Sequence, residues 1–105
     1  MRSLLLLVVG SLLGAAELPW KVASLKATPQ SWDATTEEAG VKAVWIAGPV
    51  YKGKPTRAFA YYGVPSGGRA PGMVLLHGGG GTAFAEWVRM WNARGFAAIA
   101  VDTVG

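Results

Sequence analysis

Four consecutive glycines constrain this chain more than any other feature of its sequence. The run Gly78–Gly81 follows the apolar segment Met73–Leu76 and the one histidine of the chain, His77. An uninterrupted apolar run of this length is typical of a strand buried on both faces, and glycines directly after a strand allow a tight turn with an accessible backbone. The segment therefore predicts a buried strand that ends in a loop open to close approach.

A helix and a second strand are predicted after the glycines. Thr82 is suited to cap a helix. Four apolar residues then recur at the helical spacing i, i+3, i+4 and i+7: Phe84, Trp87, Val88 and Trp91. Arg94 and Gly95 are typical of a helix C-terminus, and the apolar run Phe96–Val101 predicts a second buried strand that Asp102 ends. Strand, loop, helix and strand within about thirty residues form a βαβ unit.

Two further strands are predicted upstream. Val41–Ala47 and Arg57–Val64 are rich in β-branched and aromatic residues, and the turn-forming cluster Lys52–Pro55 separates them. Pro65–Gly72 has the composition of a loop. We therefore predict an α/β fold with an antiparallel strand pair followed by strand, Gly-rich loop, helix and strand, in which Met73–Leu76 is an interior strand of a larger sheet.

Composition bounds the class of protein. A chain of 105 residues is long enough for one small domain, and 51% hydrophobic with 15% charged residues indicates a packed chain rather than a disordered one. There is no cysteine, which excludes disulfides, thiolate nucleophiles and cysteine-ligated metal centres. One of the ten Lys and Arg residues is Arg2, and the other nine are scattered singly from Lys21 to Arg94, so we expect no nucleic-acid partner.

The first sixteen residues have the pattern of a cleavable export signal. Met1–Ser3 is a short positive region, Leu4–Leu13 is apolar, and Gly14–Ala16 offers the small residues that a signal peptidase requires. The apolar run is about half of the ~20 residues needed to span a bilayer. We therefore expect residues 1–16 to be a signal peptide, the mature protein to be secreted or periplasmic, and no membrane association after cleavage.

Residues 17–40 show neither a helical nor a strand period, and we expect an irregular lead-in to a partial domain formed by residues 41–105. Trp20 and Trp32 lie in this lead-in, and the commoner role of such residues is to anchor a segment on the core. The alternative is a small exported carbohydrate-binding module, in which exposed aromatic rings stack on sugars. Its candidate residues are Trp20, Trp32, Trp45, Tyr61 and Tyr62.

The glycine run allows three interpretations. In the first, backbone amides of the loop form an oxyanion hole for ester or amide hydrolysis, as the string His77–Gly80 suggests. In the second, Gly78, Gly80 and Ala83 match the dinucleotide fingerprint G-x-G-x-x-A, with Asp102 placed to bind a ribose. In the third, the glycines only make a tight turn. A phosphate-binding P-loop lacks its lysine here.

From Lys52 to Gly105, about half of the chain, the sequence resembles the amino-terminal part of an α/β-hydrolase. It is similar in particular to secreted bacterial enzymes of the acetylxylan esterase-like and dienelactone hydrolase-like kinds. The residues that carry the resemblance are Tyr51–Arg57, Ala60–Pro65, His77–Gly81, Glu86–Val88 and Trp91–Gly95.

The resemblance implies roles for the loop. The amides of Gly79 and Gly80 would donate to an oxyanion, while His77, together with Gly78 and Gly81, would support the shape of the loop. His77 would not be the catalytic base, because the base of this family comes late in the chain. Asp102 would be structural. The full-length enzyme would be a carboxylic ester hydrolase that acts on a small-molecule or polysaccharide ester, with no cofactor and no metal.

The catalytic triad is missing from this sequence. Ser24, Ser31 and Ser66 all lack the flanking glycines of a G-x-S-x-G nucleophile elbow, and His77 belongs to the loop. The chain also stops soon after a predicted buried strand, which leaves that strand without a following unit. We therefore expect a truncated serine hydrolase that carries the oxyanion loop and is inactive alone.

Overall fold

The computed structural model describes residues 17–36 and 38–103, so the predicted signal peptide, Met1–Ala16, lies outside the described residues. The chain forms a mixed α/β fold with one five-stranded sheet in the order β1-β2-β3-β5-β4. In chain order the elements are α1 (Val22–Leu25), β1 (Ser31–Asp33), β2 (Lys42–Ala47), β3 (Arg57–Gly63), β4 (Gly72–Leu76), α2 (Ala85–Asn92) and β5 (Ala97–Val101). No helix within the described ranges is long and apolar enough to cross a membrane.

The antiparallel half of the sheet contains the predicted strand pair and one strand that was not predicted. β2 and β3 pair antiparallel, with Trp45 opposite Phe59, which confirms the expected hairpin. β1 pairs antiparallel with β2 and places Trp32 opposite Trp45. The segment 17–40 is therefore not wholly irregular, because the open edge of β2 takes up the three-residue strand β1. Trp20 and Trp32 remain 54% and 40% exposed, so anchoring of these two rings on the core was wrong.

The parallel half of the sheet confirms the βαβ unit but not the place expected for its first strand. β4 pairs parallel with β5, and β5 also pairs antiparallel with β3, so β5 lies between two strands that precede it in sequence. Within the described residues β4 is an edge strand, not an interior one. Val74 and Leu76 are 66% and 63% exposed because α2 covers only the opposite face of the sheet.

The core lies between α2 and one face of the sheet. Val88 of α2 is fully buried against Ala98 and Ala100 of β5, whose small side chains allow the helix to approach closely. Tyr61 packs on the edge of this cluster. Burial, with a smaller contribution from the Glu38 carboxylate, raises the pKa of Tyr61 above its ordinary value of 10.0.

The C-terminal end of α2 is held to the sheet by one side chain. Asn92 Nδ2 donates to the carbonyl oxygens of Gly63 at 3.0 Å and of Phe96 at 2.8 Å. A Cβ added to Gly63 would meet the Asn92 side chain and lie 3.1 Å from Val88, so this glycine permits close helix packing. Gly95 has φ +85°, which confirms the predicted left-handed residue after the helix.

Candidate functional site

The glycine loop and the residues that fasten it meet at one edge of the sheet. β4 and β5 run parallel with Leu76 opposite Val101, so the residues after the two strands leave the sheet side by side. His77 and the glycines follow β4, while Asp102 and Thr103 follow β5. In open, mostly parallel α/β sheets, ligands bind outside the carboxyl ends of the strands, and β4 and β5 form the one parallel pair among the described strands.

His77 is fixed through both of its ring nitrogens. Nδ1 lies 2.7 Å from the carbonyl oxygen of Gly78, and Nε2 lies 3.1 Å from the backbone nitrogen of Thr103. Since a carbonyl can only accept and a backbone N–H can only donate, this geometry assigns the neutral tautomer that carries its proton on Nδ1. The side chain is 2% exposed. His77 therefore shapes the loop and presents neither ring nitrogen to a substrate.

Asp102 ties the end of β5 to the residue that follows the glycines. Its Oδ2 accepts a hydrogen bond from Thr82 Oγ1 at 3.0 Å, and its Oδ1 lies 3.5 Å from His77 Nε2. The prediction that Thr82 caps α2 was wrong, because its hydroxyl bonds the carboxylate instead of a helix amide. The helix begins three residues later with Phe84 in the cap position and no side-chain cap bond.

The four glycines form one tight turn. The amide of Gly81 donates to the carbonyl of Gly78 at 3.1 Å, and Gly80 has φ +77° while Gly79 is outside the left-handed region. A positive φ confined to the third residue is the signature of a type II turn. Gly81 is required for another reason, since an added Cβ would lie 3.0 Å from His77 Nδ1 and 3.1 Å from the Gly78 carbonyl oxygen.

Gly78 and Gly79 are not explained by the fold. Neither has a left-handed φ, and a Cβ added to either would have no neighbour within 4 Å. Alanine in place of glycine at such positions normally stabilises a protein by about 0.4–1 kcal/mol, because it restricts the unfolded chain. Two glycines kept in open space are consistent with a surface that a ligand, or another backbone, approaches closely.

The amides of Gly79 and Gly80 are the donors that this turn offers. Both residues are exposed, and no hydrogen bond from either N–H reaches an acceptor in the part of the chain that the structure describes. The predicted site residues are thus brought together, with His77 and Gly81 packed beneath the turn and Gly79 and Gly80 at its surface. Chemically, the turn can donate hydrogen bonds to an anionic oxygen.

Thr103 is the site residue that sequence reasoning missed. Its backbone N–H bonds His77 Nε2, and its Oγ1 lies 3.2 Å from the same nitrogen. The backbone contact could be made by any residue except proline, so no side-chain pattern signals it. The sequence did offer one signal, the position of Thr103 in the chain. Once β4 and β5 pair in parallel, the residue two places after β5 must lie near His77, the residue after β4.

The residues of the two alternative functions are also placed. Asp102, the candidate ribose ligand, is bonded to Thr82. Four residues lie between Gly80 and the first residue of α2. Among the aromatic candidates, the ring of Trp45 is covered by the guanidinium of Arg57 at 4.0 Å. Among the described residues there is no group of three side chains that could hold a metal ion.

Comparison with known proteins adds no relative. No protein-family model, no curated protein and no solved structure matches this chain.

Proposed function

We propose that this chain carries the oxyanion-hole part of a secreted α/β-hydrolase that cleaves carboxylic esters. The observation that carries the proposal is the pair of exposed amides at Gly79 and Gly80, held in a turn whose shape His77 fixes from beneath. The resemblance to acetylxylan esterase-like enzymes supplies the substrate class, a small-molecule or polysaccharide ester.

The loop would act by electrostatic stabilisation of the reacting oxygen. In ester hydrolysis the carbonyl oxygen becomes an anion in the tetrahedral intermediate, and donors already aimed at its position stabilise it without reorganising. Removing one such donor typically lowers kcat by about 10²–10³-fold. The bonds of His77 to Gly78 and Thr103 keep the turn from relaxing, which is the preorganisation that this effect needs.

The rest of the catalytic machinery would come from other sequence. The chain has no G-x-S-x-G elbow, and its one histidine uses both ring nitrogens within the loop. We therefore propose a longer protein that supplies the nucleophile, acid and base. The open edge and exposed face of β4, with Val74 and Leu76, fit further strands and helices of the same sheet.

The geometry favours this proposal over a dinucleotide site. A dinucleotide fingerprint places the pyrophosphate on the first amides of the helix that its glycines open. Here the glycines instead close a turn of their own, and α2 begins only at Ala85. The carboxylate of Asp102, which would have to bind the ribose, accepts a hydrogen bond from Thr82.

The decisive experiment reads the coding DNA on both sides of these 105 codons and expresses the longest reading frame that contains them. We expect that frame to encode a G-x-S-x-G elbow, an acidic residue and a late histidine, and its product to hydrolyse p-nitrophenyl acetate. Gly79→Pro should lower kcat by about 10²-fold or more. Proline suits the second position of a type II turn, so this change removes one N–H and keeps the turn.

Gly79→Ala is the matched control. It keeps the N–H, and the structure has room for its methyl group. Loss of kcat in Gly79→Pro with a much smaller loss in Gly79→Ala supports the proposed donor. Equal kcat in Gly79→Pro and the parent enzyme, or a longest reading frame without nucleophile and base, refutes it.

A further inference from the structure

The β2–β3 hairpin extends beyond its strands as a rigid arm, which we define as residues 48–56. Gly48 N donates to Thr56 O at 2.9 Å, and Tyr51 and Lys54 exchange two backbone hydrogen bonds of 2.9 Å. Lys52 and Gly53 between them have φ +48° and +73°, and two positive φ values at the centre define a type I′ turn. The Thr56 hydroxyl also donates to the Pro49 carbonyl. The backbone of the arm is thus fixed by its own hydrogen bonds.

The arm projects from the same edge of the sheet as the glycine loop. β3 runs antiparallel to β5, with Ala60 opposite Val101, and the amide of Asp102 donates to Phe59 O at 2.8 Å. The beginning of β3, where the arm joins it, therefore lies at the carboxyl end of β5. Two strand spacings, about 10 Å, separate β3 from β4, whose end carries the loop.

Positive charge is concentrated at this arm. Residues 39–85 contain no Asp or Glu, and Lys52, Lys54 and Arg57 lie on or beside the arm with exposed side chains. The other two cations of that stretch, Lys42 and Arg69, stand at the start of β2 and before the start of β4, which is the opposite edge of the sheet.

The arm also carries exposed aromatic and apolar surface. The ring of Tyr51 is 64% exposed with Lys52 Nζ 5.3 Å from its centroid, and the neighbouring Val50 is 71% exposed. An aromatic ring beside ammonium groups suits a sugar that carries a carboxylate, because the ring packs on the sugar and the cations pair with the charge. Val50 and Tyr51 offer less apolar surface than insertion into a membrane needs. Three cations would neutralise fewer phosphates than a typical nucleic-acid binder does.

We propose that this arm binds a carboxylate-bearing polysaccharide and holds it beside the glycine loop. The inference rests on the proposed function in one respect, since a polymeric ester would be the substrate that reaches from the arm to Gly79 and Gly80. Lys52 and Lys54 pair with carboxylates of the polymer, and Tyr51 packs on a sugar ring. Arg57, stacked on Trp45, adds positive charge at the base of the arm.

The test measures binding of the full chain to polygalacturonate by affinity electrophoresis at low salt. Fully methyl-esterified polygalacturonate serves as the uncharged probe with the same backbone. We expect binding to the charged polymer only, and Lys52→Gln combined with Lys54→Gln should weaken it at least about fivefold. Lys42→Gln combined with Arg69→Gln changes the net charge equally at the opposite edge, and this variant should bind within about twofold of the parent chain.

Three results would overturn the inference: equal weakening by the two double variants, equal binding of the esterified polymer, or tighter binding to phosphatidylglycerol vesicles or duplex DNA than to polygalacturonate at the same salt. Failure here is separable from failure of the proposed function. Gly79→Pro removes an oxyanion donor and leaves the arm intact, so polymer binding should not change in it. If the arm variants fail this binding test while hydrolysis of p-nitrophenyl acetate still depends on Gly79, the arm inference is wrong and the proposed ester hydrolase is unaffected.

Discussion

At the scale of single residues, the four glycines of the loop do different work. Gly80 supplies the left-handed backbone of the turn, and Gly81 leaves room for the His77 ring. Gly78 and Gly79 satisfy no requirement of the fold itself. The same residue type is thus used for conformation, for packing and, as we propose, for access to the backbone. These uses can be separated by substitution.

Gly81→Ala should destabilise the protein. Its added methyl group would press on His77 Nδ1 and on the Gly78 carbonyl oxygen, both of which belong to the hydrogen bond that shapes the loop. We expect a loss of about 1–2 kcal/mol in the free energy of unfolding, measured by urea titration with tryptophan fluorescence. Gly78→Ala, with open space around its methyl group, should stay within about 0.5 kcal/mol of the parent chain or stabilise it. Indistinguishable midpoints for the two variants would contradict this account.

At the scale of elements, α2 depends on a polar contact at its C-terminal end. The Asn92 amide bonds two backbone carbonyls, one on β3 and one just before β5, in a half-buried position beside the core. A helix of eight residues has little stability of its own, so such tertiary contacts decide whether it forms.

Asn92→Ala should therefore weaken the docking of α2. It removes two hydrogen bonds and leaves two partly buried carbonyls without their donor, which costs about 1–3 kcal/mol. Met90→Ala on the same helix is the control, because Met90 is 47% exposed and alanine has a high helix propensity. Urea midpoints and the helical signal in circular dichroism measure both variants. A Met90→Ala effect as large as that of Asn92→Ala would show that the helix itself, and not this contact, limits stability.

The predictions of elements that the structure confirms rest on the local spacing of apolar and turn-forming residues. The β2–β3 hairpin, the helix and the strands on each side of it follow from apolar periodicity and turn residues that lie next to one another in sequence. β1 was missed because Ser31–Asp33 is too short to show alternation, and its pairing depends on an edge that β2 offers. Thr82 was misassigned because a carboxylate twenty residues away competes for its hydroxyl.

The residues of the candidate site also fall into two groups, those that local sequence predicts and those that it does not. His77 and the glycines could be found from composition and position, because a glycine run after an apolar strand is a local signal. The contact from Thr103 could not be predicted from the sequence, since the backbone makes it and it depends on the parallel register of β4 and β5. The cationic arm was also missed, because its lysines look scattered until the strand directions place them at one edge.

At the scale of the whole molecule, the described residues leave the β4 end of one sheet face uncovered. α2 covers one side, while Val74 and Leu76 of the edge strand β4 stay mostly exposed on the other. Exposed apolar side chains on an unpaired edge strand favour association between chains.

We therefore expect the isolated chain to self-associate at micromolar concentration, and Val74→Lys with Leu76→Lys to shift it towards monomer in sedimentation velocity runs. Charge at an edge strand opposes pairing with another chain. Val64→Lys is the single-site control, since Val64 is 61% exposed but follows β3 in a loop. A monomeric parent chain, or an equal shift in the control, would contradict the role of β4.

The strand order also sets when the loop can acquire its geometry during synthesis. β5 occupies the space between β3 and β4 but is the last of these three to leave the ribosome. Pairing of distant segments is slow compared with the formation of local structure. β3 and β4 both pair with β5, so this half of the sheet cannot form until β5 has emerged. Asp102 and Thr103, which fasten Thr82 and His77, emerge after that strand. The residues of the glycine turn are therefore synthesised before the residues that hold the turn in place, and the turn acquires its geometry only after β5 has paired with β3 and β4.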